Sequence, residues 1–179
     1  MLTENTLSVV NSFHTDLKVA IELVYDKCGF EFNKPKLNLE SIEYGACSFE
    51  LNKNKIIHRV SKITPTKAGQ FVTIWKRKQD GITEPYSILD DFDFIIITAR
   101  SGENFGQFIF PKAVLAEKGI ITKKDKEGKR GIRVYPPWDK ATNNQALKTQ
   151  TWQTNYFLII KNNNLTDLEL AQKLFTTTS

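Results

Sequence analysis

Phe92-Asp93-Phe94-Ile95-Ile96-Ile97-Thr98 is the longest apolar run in the chain. A bilayer-spanning helix takes roughly 20 apolar residues, so this run is too short to be one. Its length and continuity suit a central strand covered on both faces. Gly106–Phe110 follows a glycine-containing turn as the next strand. Pro111 then opens a short helix, Lys112 to Lys118, which Gly119 closes, the usual order of proline first and glycine last. Toward the N-terminus, Gln70–Arg77 has a period of two, with Phe71, Thr73, Trp75 and Arg77 on one face. Before it, Tyr44–Leu51 and Ile56–Ile63 read as a hairpin about Asn52–Lys55.

The outer segments are helical in pattern. Val9, Phe13, Leu17, Ile21, Val24 and Cys28 recur at helical spacing, predicting a helix over 6–28 that Gly29 ends. Pro35 marks the segment after it as a connector. Ile132–Tyr135 is a short strand stopped by Pro136-Pro137, and Asn144–Phe157 reads as a helix. Thr166 with Glu169 forms a capping box for a last helix to about Phe175. These elements predict one domain over 1–179: a helix at 6–28, a sheet-forming region at 44–135 and helices at 144–175. The class is α/β of the α+β kind, with a central mixed sheet of about six strands flanked by helices.

Composition narrows the function. At 179 residues, with 40% hydrophobic and 25% charged residues, the chain is neither disordered, fibrous nor a coiled coil. Met1-Leu2-Thr3-Glu4 lacks the basic and apolar regions of a secretory signal. Cys28 and Cys47 are too few for a disulfide framework and are expected as reduced thiols. A cytoplasmic protein without a membrane segment is the expectation. The net charge is +5, and it is segregated. Residues 51–79 hold eight bases and no acid, whereas 80–104 hold six acids against Arg100 alone. Residues 112–133 return to eight bases against three acids. Two basic stretches meeting on one surface would bind a polyanion, and a solvated lysine-rich face is the alternative.

Particular residues sharpen the polyanion reading. Arg59 and Lys62 face opposite sides of the second strand, so one of them is either functional or ion-paired, because an unpaired charge on an apolar face is costly. Trp75 and Arg77 share a face, as stacking and phosphate contact require, although a core Trp75 with a solvated Arg77 is equally compatible. Arg133, Tyr135 and Trp138 form the densest aromatic–basic passage, stiffened by Pro136-Pro137. That passage also has a bland reading, as a packed strand end. Gln150, Trp152 and Gln153 lie on a helix unusually rich in hydrogen-bonding groups, and Gln can read base edges. Lys76 and Lys112 complete the set of expected phosphate contacts.

Asp90-Asp91-Phe92-Asp93 precedes the central strand, where carboxylates can hold a divalent metal for phosphodiester cleavage. That chemistry wants an Asp with Glu-x-Lys on the next strand. Gln107-Phe108-Ile109 stands there instead, and the only Glu-x-Lys is Glu127-Gly128-Lys129 in a loop-like tract. A metal nuclease would have to use Asp91 or Asp93 with Glu50, and Gln107 in the degenerate position. Magnesium or manganese enters only on that alternative; otherwise no cofactor is expected. His14 and His58 lie near no serine elbow or cysteine signature, and there is no Walker loop, dinucleotide fingerprint or zinc pattern.

The motifs resemble the MepB family. They are Tyr44-Gly45-Ala46, Arg59-Val60-Ser61-Lys62-Ile63-Thr64-Pro65 and Gly69-Gln70-Phe71-Val72-Thr73-Ile74-Trp75-Lys76-Arg77. Asp91-Phe92-Asp93, Gly106-Gln107-Phe108-Ile109-Phe110-Pro111-Lys112 and Arg133-Val134-Tyr135-Pro136 follow, then Thr149-Gln150-Thr151-Trp152-Gln153. The family is named for a bacterial gene in an operon with a multidrug efflux pump and its repressor. The resemblance implies a bacterial cytosolic protein and a fold like that of restriction endonucleases, binding DNA or RNA. It implies no particular reaction. An accessory factor binding a small molecule or a protein in drug response is a further alternative.

Overall fold

The computed structural model describes residues 3–176. The chain begins with α1 (Glu4–Asn11), α2 (Thr15–Ala20) and a π-helical turn (Ile21–Tyr25). Strands β1 (Phe32–Leu37), β2 (Cys47–Leu51), β3 (Asn54–Val60), β4 (Lys62–Ile63), β5 (Gln70–Thr73), β6 (Trp75–Arg77) and β7 (Thr83–Pro85) follow. Next come β8 (Phe94–Ser101), β9 (Asn104–Pro111), α3 (Lys112–Glu117), β10 (Gly131–Val134), α4 (Asn144–Gln153), β11 (Phe157–Ile159) and α5 (Leu168–Thr176). The main sheet has six strands in the order β1-β2-β3-β8-β9-β11. It is mixed, because β3 and β8 run parallel while every other neighbouring pair is antiparallel. The class is the α+β one the sequence predicts.

The isoleucine run explains why the sheet is covered on both sides. Alternate residues of β8 enter different cores: Phe94 and Ile96 join one, Ile95, Ile97 and Ala99 the other. The first core gathers Phe13, Leu17, Val24 and Tyr25 with Leu174 and Phe175 of α5. The second packs Val72, Ile132 and Val134 of the smaller sheet, with Ile74 just beyond it, against Phe108, Phe110 and Leu115. Burial at about 25 cal/mol per Å² of apolar surface makes these two layers the main source of stability. Among the described residues no helix is long and apolar enough to cross a membrane.

Sheet membership differs from the sequence expectation. Gln70–Arg77 and Ile132–Tyr135 are not in the main sheet. Ile56–Ile63 also divides: β3 ends at Val60, and β4 starts a separate sheet ordered β10-β5-β4. The Gln70–Arg77 strand breaks at Ile74, and β6 pairs with β7 as a two-stranded ribbon. The vacant places are taken by β1 and β11. In β1, Pro35 is tolerated because the strand is at the edge and bulged between Asn33 and Lys36, with Lys34 at φ 49°. The Asn52-Lys53 turn has both residues at positive φ, as two-residue hairpins prefer, so β3 begins at Asn54.

The helix predicted over 6–28 is broken. Val9, Phe13 and Leu17 keep their spacing across the break, which hides it from periodicity. His14 leaves helical dihedrals and its Nδ1 accepts from the Asp16 N–H at 3.1 Å, capping α2. The turn lets Phe13 pack against the stacked pair Phe32 and Phe49. The helix predicted over 144–157 ends at Gln153, because Phe157 pairs with Phe108 of β9. The cap of α5 is Asp167, whose Oδ1 accepts from the Leu170 N–H at 2.9 Å. Thr166 instead bonds both the N–H and the C=O of Lys161.

Candidate nucleic-acid interface

A cleft of about 500 Å³ opens between β10 and α4. Among the described residues its cations are Lys67, Lys118, Lys129 and Arg133, Lys118 also pairing with Glu117 at 3.3 Å, and no carboxylate lines it. Phe71, Tyr135 and Trp152 supply aromatic surface, and Asn143, Gln145 and Thr149 supply polar groups. Lys67 and Phe71 come from the acid-free stretch 51–79, while Lys118, Lys129 and Arg133 come from 112–133. The fold thus brings the two basic stretches to one cleft. The antiparallel pairing of β10 with β5 sets Arg133 opposite Phe71.

The polar residues singled out on these elements hold the cleft in shape. Arg133 Nη1–H donates to the Ala68 and Gly69 carbonyls at 3.1 and 3.4 Å, and Nη2–H donates to Thr64 Oγ1 at 2.6 Å. It therefore pins the β4–β5 loop. Gly69 has φ +75°, and a Cβ there would lie 2.7 Å from the Tyr135 ring, so glycine is required for tyrosine to pack. Gln153 is fully buried. Its Oε1 accepts from the Tyr135 N–H at 2.8 Å and its Nε2–H donates to the Arg133 carbonyl at 3.0 Å. The amide thus continues β10 as a neighbouring strand would. Gln150 Nε2–H donates to the carbonyls of Pro136 and Asp139. Trp152 has one side against Phe110, ring centroids 5.3 Å apart, and Lys118 Nζ lies 5.7 Å from its ring centre.

The other candidates lie elsewhere. Trp138 packs edge-on against Phe157 at 5.4 Å, with its indole N–H buried and unpartnered. Lys62 pairs with Glu43 at 3.2 Å and sits over the Tyr44 ring. Trp75 and Arg77 are together on the β6–β7 ribbon, the guanidinium 5.3 Å from the indole, with Arg77 also paired to Glu40. Lys76 is held by Asp90 at 2.5 Å and Glu84 at 3.2 Å. Lys112 donates to the Asp90 carbonyl and lies over Phe92. Arg59 is buried in a second cleft, with Lys76 and Arg77 at its edge.

The carboxylates of the nuclease alternative surround Lys55. Its Nζ bonds Asp91, its backbone N–H donates to Asp93 Oδ2 at 2.7 Å, and Glu50 and Asp93 add electrostatic attraction. The hydrogen bond from Lys55 holds the Asp91 carboxyl below its usual range. Glu50 also pairs with Lys34 at 2.9 Å. Gln107 is remote from them, opposite Thr98 in the β8–β9 register, whereas Asp93 precedes the Phe94–Pro111 pair. Among the described residues no group of three or more His, Cys, Asp or Glu is placed to hold a metal ion. Magnesium or manganese would therefore meet a lysine between these carboxylates, and the residues do not fit it.

One other constellation has catalytic residue types. Cys47 Sγ is 3.7 Å from His58 Nδ1. Burial pushes the Cys47 thiol up to about 12, against the opposing charge of Arg59. It also pushes His58 down to about 3. A neutral thiol beside an imidazole that resists protonation is not an activated nucleophile.

Fold and cleft together define a mixed α+β domain with a basic, aromatic groove on the smaller sheet. The MepB-like family profile matches residues 38–159, and the chain belongs to that family. The crystal structure of MepB is 36% identical to it, with a TM-score of 0.70 over 74% of this chain and 87% of that one. A bacterial homing endonuclease aligns at 16% identity with a TM-score of 0.45, over 79% of this chain and 88% of that one. No curated protein matches the chain.

Proposed function

We propose that the chain binds nucleic acid, with a strand lying in the cleft between β10 and α4. The observation that carries this reading is the convergence of four cations from two segregated basic stretches, with no carboxylate among the described residues lining the cleft. Among the described residues Lys67 and Lys129 have no ion-pair partner. They are available to phosphates. Tyr135 and Trp152 are the stacking surfaces, while Arg133, Gln150 and Gln153 position them. Lys55 stands among Glu50, Asp91 and Asp93, which favours binding over metal-assisted cleavage.

Fluorescence anisotropy with single-stranded and duplex DNA and RNA tests the reading. Lys67 and Lys129 neutralising two phosphates give a log–log salt slope of about −1.4 on single strands, at about 0.7 per phosphate. Lys67→Glu/Lys129→Glu should remove binding while leaving the melting temperature unchanged. Absence of binding at about 50 mM salt, or equal affinity in the double variant, would overturn the proposal.

A further inference from the structure

A second cleft, about 600 Å³, opens between the β1–β2 end of the main sheet and the β6 ribbon, and shares no lining residue with the first. Arg59 lies at its base, 1% exposed. Its Nη1–H donates to the His58 carbonyl at 2.9 Å and its Nη2–H to Tyr86 Oη at a long 3.3 Å. Nε is buried and has no partner. Among the described residues no carboxylate pairs with this guanidinium. A desolvated cation without a counter-charge is strongly unfavourable, and a native chain keeps one where something else supplies the charge.

The neighbouring cations do not compete for that role. Lys76 is neutralised by Asp90 and Glu84, and Arg77 by Glu40. Of the cations lining this cleft, only Lys36, exposed at the rim, also lacks an ion-pair partner among the described residues. Two uncompensated positive charges therefore face one cleft. A phosphate monoester carries about −1.5 to −2 charge at neutral pH, and its oxygens match the edge of an arginine fork. Leu39, 73% exposed, and Ile57 give the cleft apolar surface for the rest of a ligand. The volume falls in the range of small-molecule sites, about 300–1,000 Å³.

We propose that this cleft binds a phosphate monoester of about mononucleotide size, its phosphate on the Nε/Nη2 edge of Arg59 and on Lys36. The source is either a free small phosphate ester or the 5′-phosphate of a strand.

Calorimetric titration of the full chain with adenosine monophosphate and inorganic phosphate, against chloride at equal ionic strength, tests it. Saturable binding of both phosphates but not chloride is expected, weakened about tenfold or more in Lys36→Glu and lost in Arg59→Met. Lys67→Glu/Lys129→Glu should keep this binding, since those residues belong to the other cleft. In that background, tighter binding of a 5′-phosphorylated than a 5′-hydroxyl oligonucleotide assigns the site to strand ends. Equal binding assigns it to free esters. No saturable heat up to about 10 mM ligand overturns the proposal. So does binding unchanged in Lys36→Glu, which decides the matter if Arg59→Met does not fold, or binding lost in the Lys67→Glu/Lys129→Glu variant.

Discussion

Acidification should destabilise the protein through His58, and the structure sets the size of the effect. The imidazole is fully buried. Its Nδ1 faces the Gly45 carbonyl at 3.1 Å, an acceptor only, so Nδ1 carries the proton. Nε2 then accepts from the Thr98 hydroxyl at 2.8 Å. Thr98 Oγ1 accepts from Gln107 Nε2–H at 2.9 Å, and Gln107 Oε1 accepts from Tyr25 Oη–H at 2.8 Å. Protonating Nε2 would set two donors against each other and charge a desolvated ring; burial holds the folded-state value at about 3 against the usual 6.5. The unfolded chain takes up a proton below about 6.5 and the folded chain does not until about 3. Stability is therefore complete above the unfolded value and falls with pH by up to about 1.4 kcal/mol per unit. The loss is about 2 kcal/mol by pH 5 and about 4 kcal/mol by pH 3. Urea unfolding from pH 7.5 to 5 measures it, and the imidazole NMR signals assign it, His14 giving the only other one. A His58 signal that titrates near 6.5 in the folded protein would refute the reasoning.

Gln153→Leu should orphan the Tyr135 N–H and the Arg133 carbonyl, at about 1–3 kcal/mol each. A fall of about 8–16 °C in calorimetric melting temperature is expected, and no fall would show that the amide does not hold β10. Gly106→Ala places a Cβ 2.4 Å from the Leu158 carbonyl and 2.5 Å from the Phe157 ring. It should cost about 3 kcal/mol in urea unfolding by forcing β11 from β9. Trp138→Phe removes an indole N–H that has no partner but keeps a ring against Phe157. It should change stability by less than about 1 kcal/mol, whereas Trp138→Ala loses about 2 kcal/mol or more.

What the sequence carried best was what depends on local pattern. The isoleucine run became the doubly covered β8, Pro111 and Gly119 bracketed α3, and the hairpin turn fell at Asn52-Lys53. Edge elements were hidden, because Lys34-Pro35-Lys36 reads as a connector until a bulge and an edge position excuse the proline. Helical periodicity concealed the break at His14, since side chains meet the same core on either side of it. The cleft was legible as charge segregation, though not residue by residue. Lys67, Lys118 and Lys129 lay inside the two basic stretches, but no local motif distinguished them from neighbouring lysines. Arg133 and Gln153 stood out by type, yet their hydrogen bonds run to backbone distant in sequence, which spacing cannot encode.

Two consecutive residues of β3 show how such exceptions separate. His58 and Arg59 are both buried in a strand otherwise apolar at Ile56, Ile57 and Val60. Local patterning disfavours each, and departures of that kind concentrate at strained or functional positions. The pleat sends them to opposite faces. His58 enters a network in which both of its ring nitrogens are satisfied and the chain of donors runs in one direction from Tyr25 through Gln107 and Thr98 to His58 and the Gly45 carbonyl. Such a network fixes register and needs nothing from outside. Arg59 ends differently, with one nitrogen unpartnered, one weakly held and, among the described residues, no carboxylate against it. A satisfied polar residue argues for architecture, and an unsatisfied cation at the base of an open cleft argues for a ligand. The same strand thus carries one group that stabilises the sheet and one whose charge is left for an anion to neutralise.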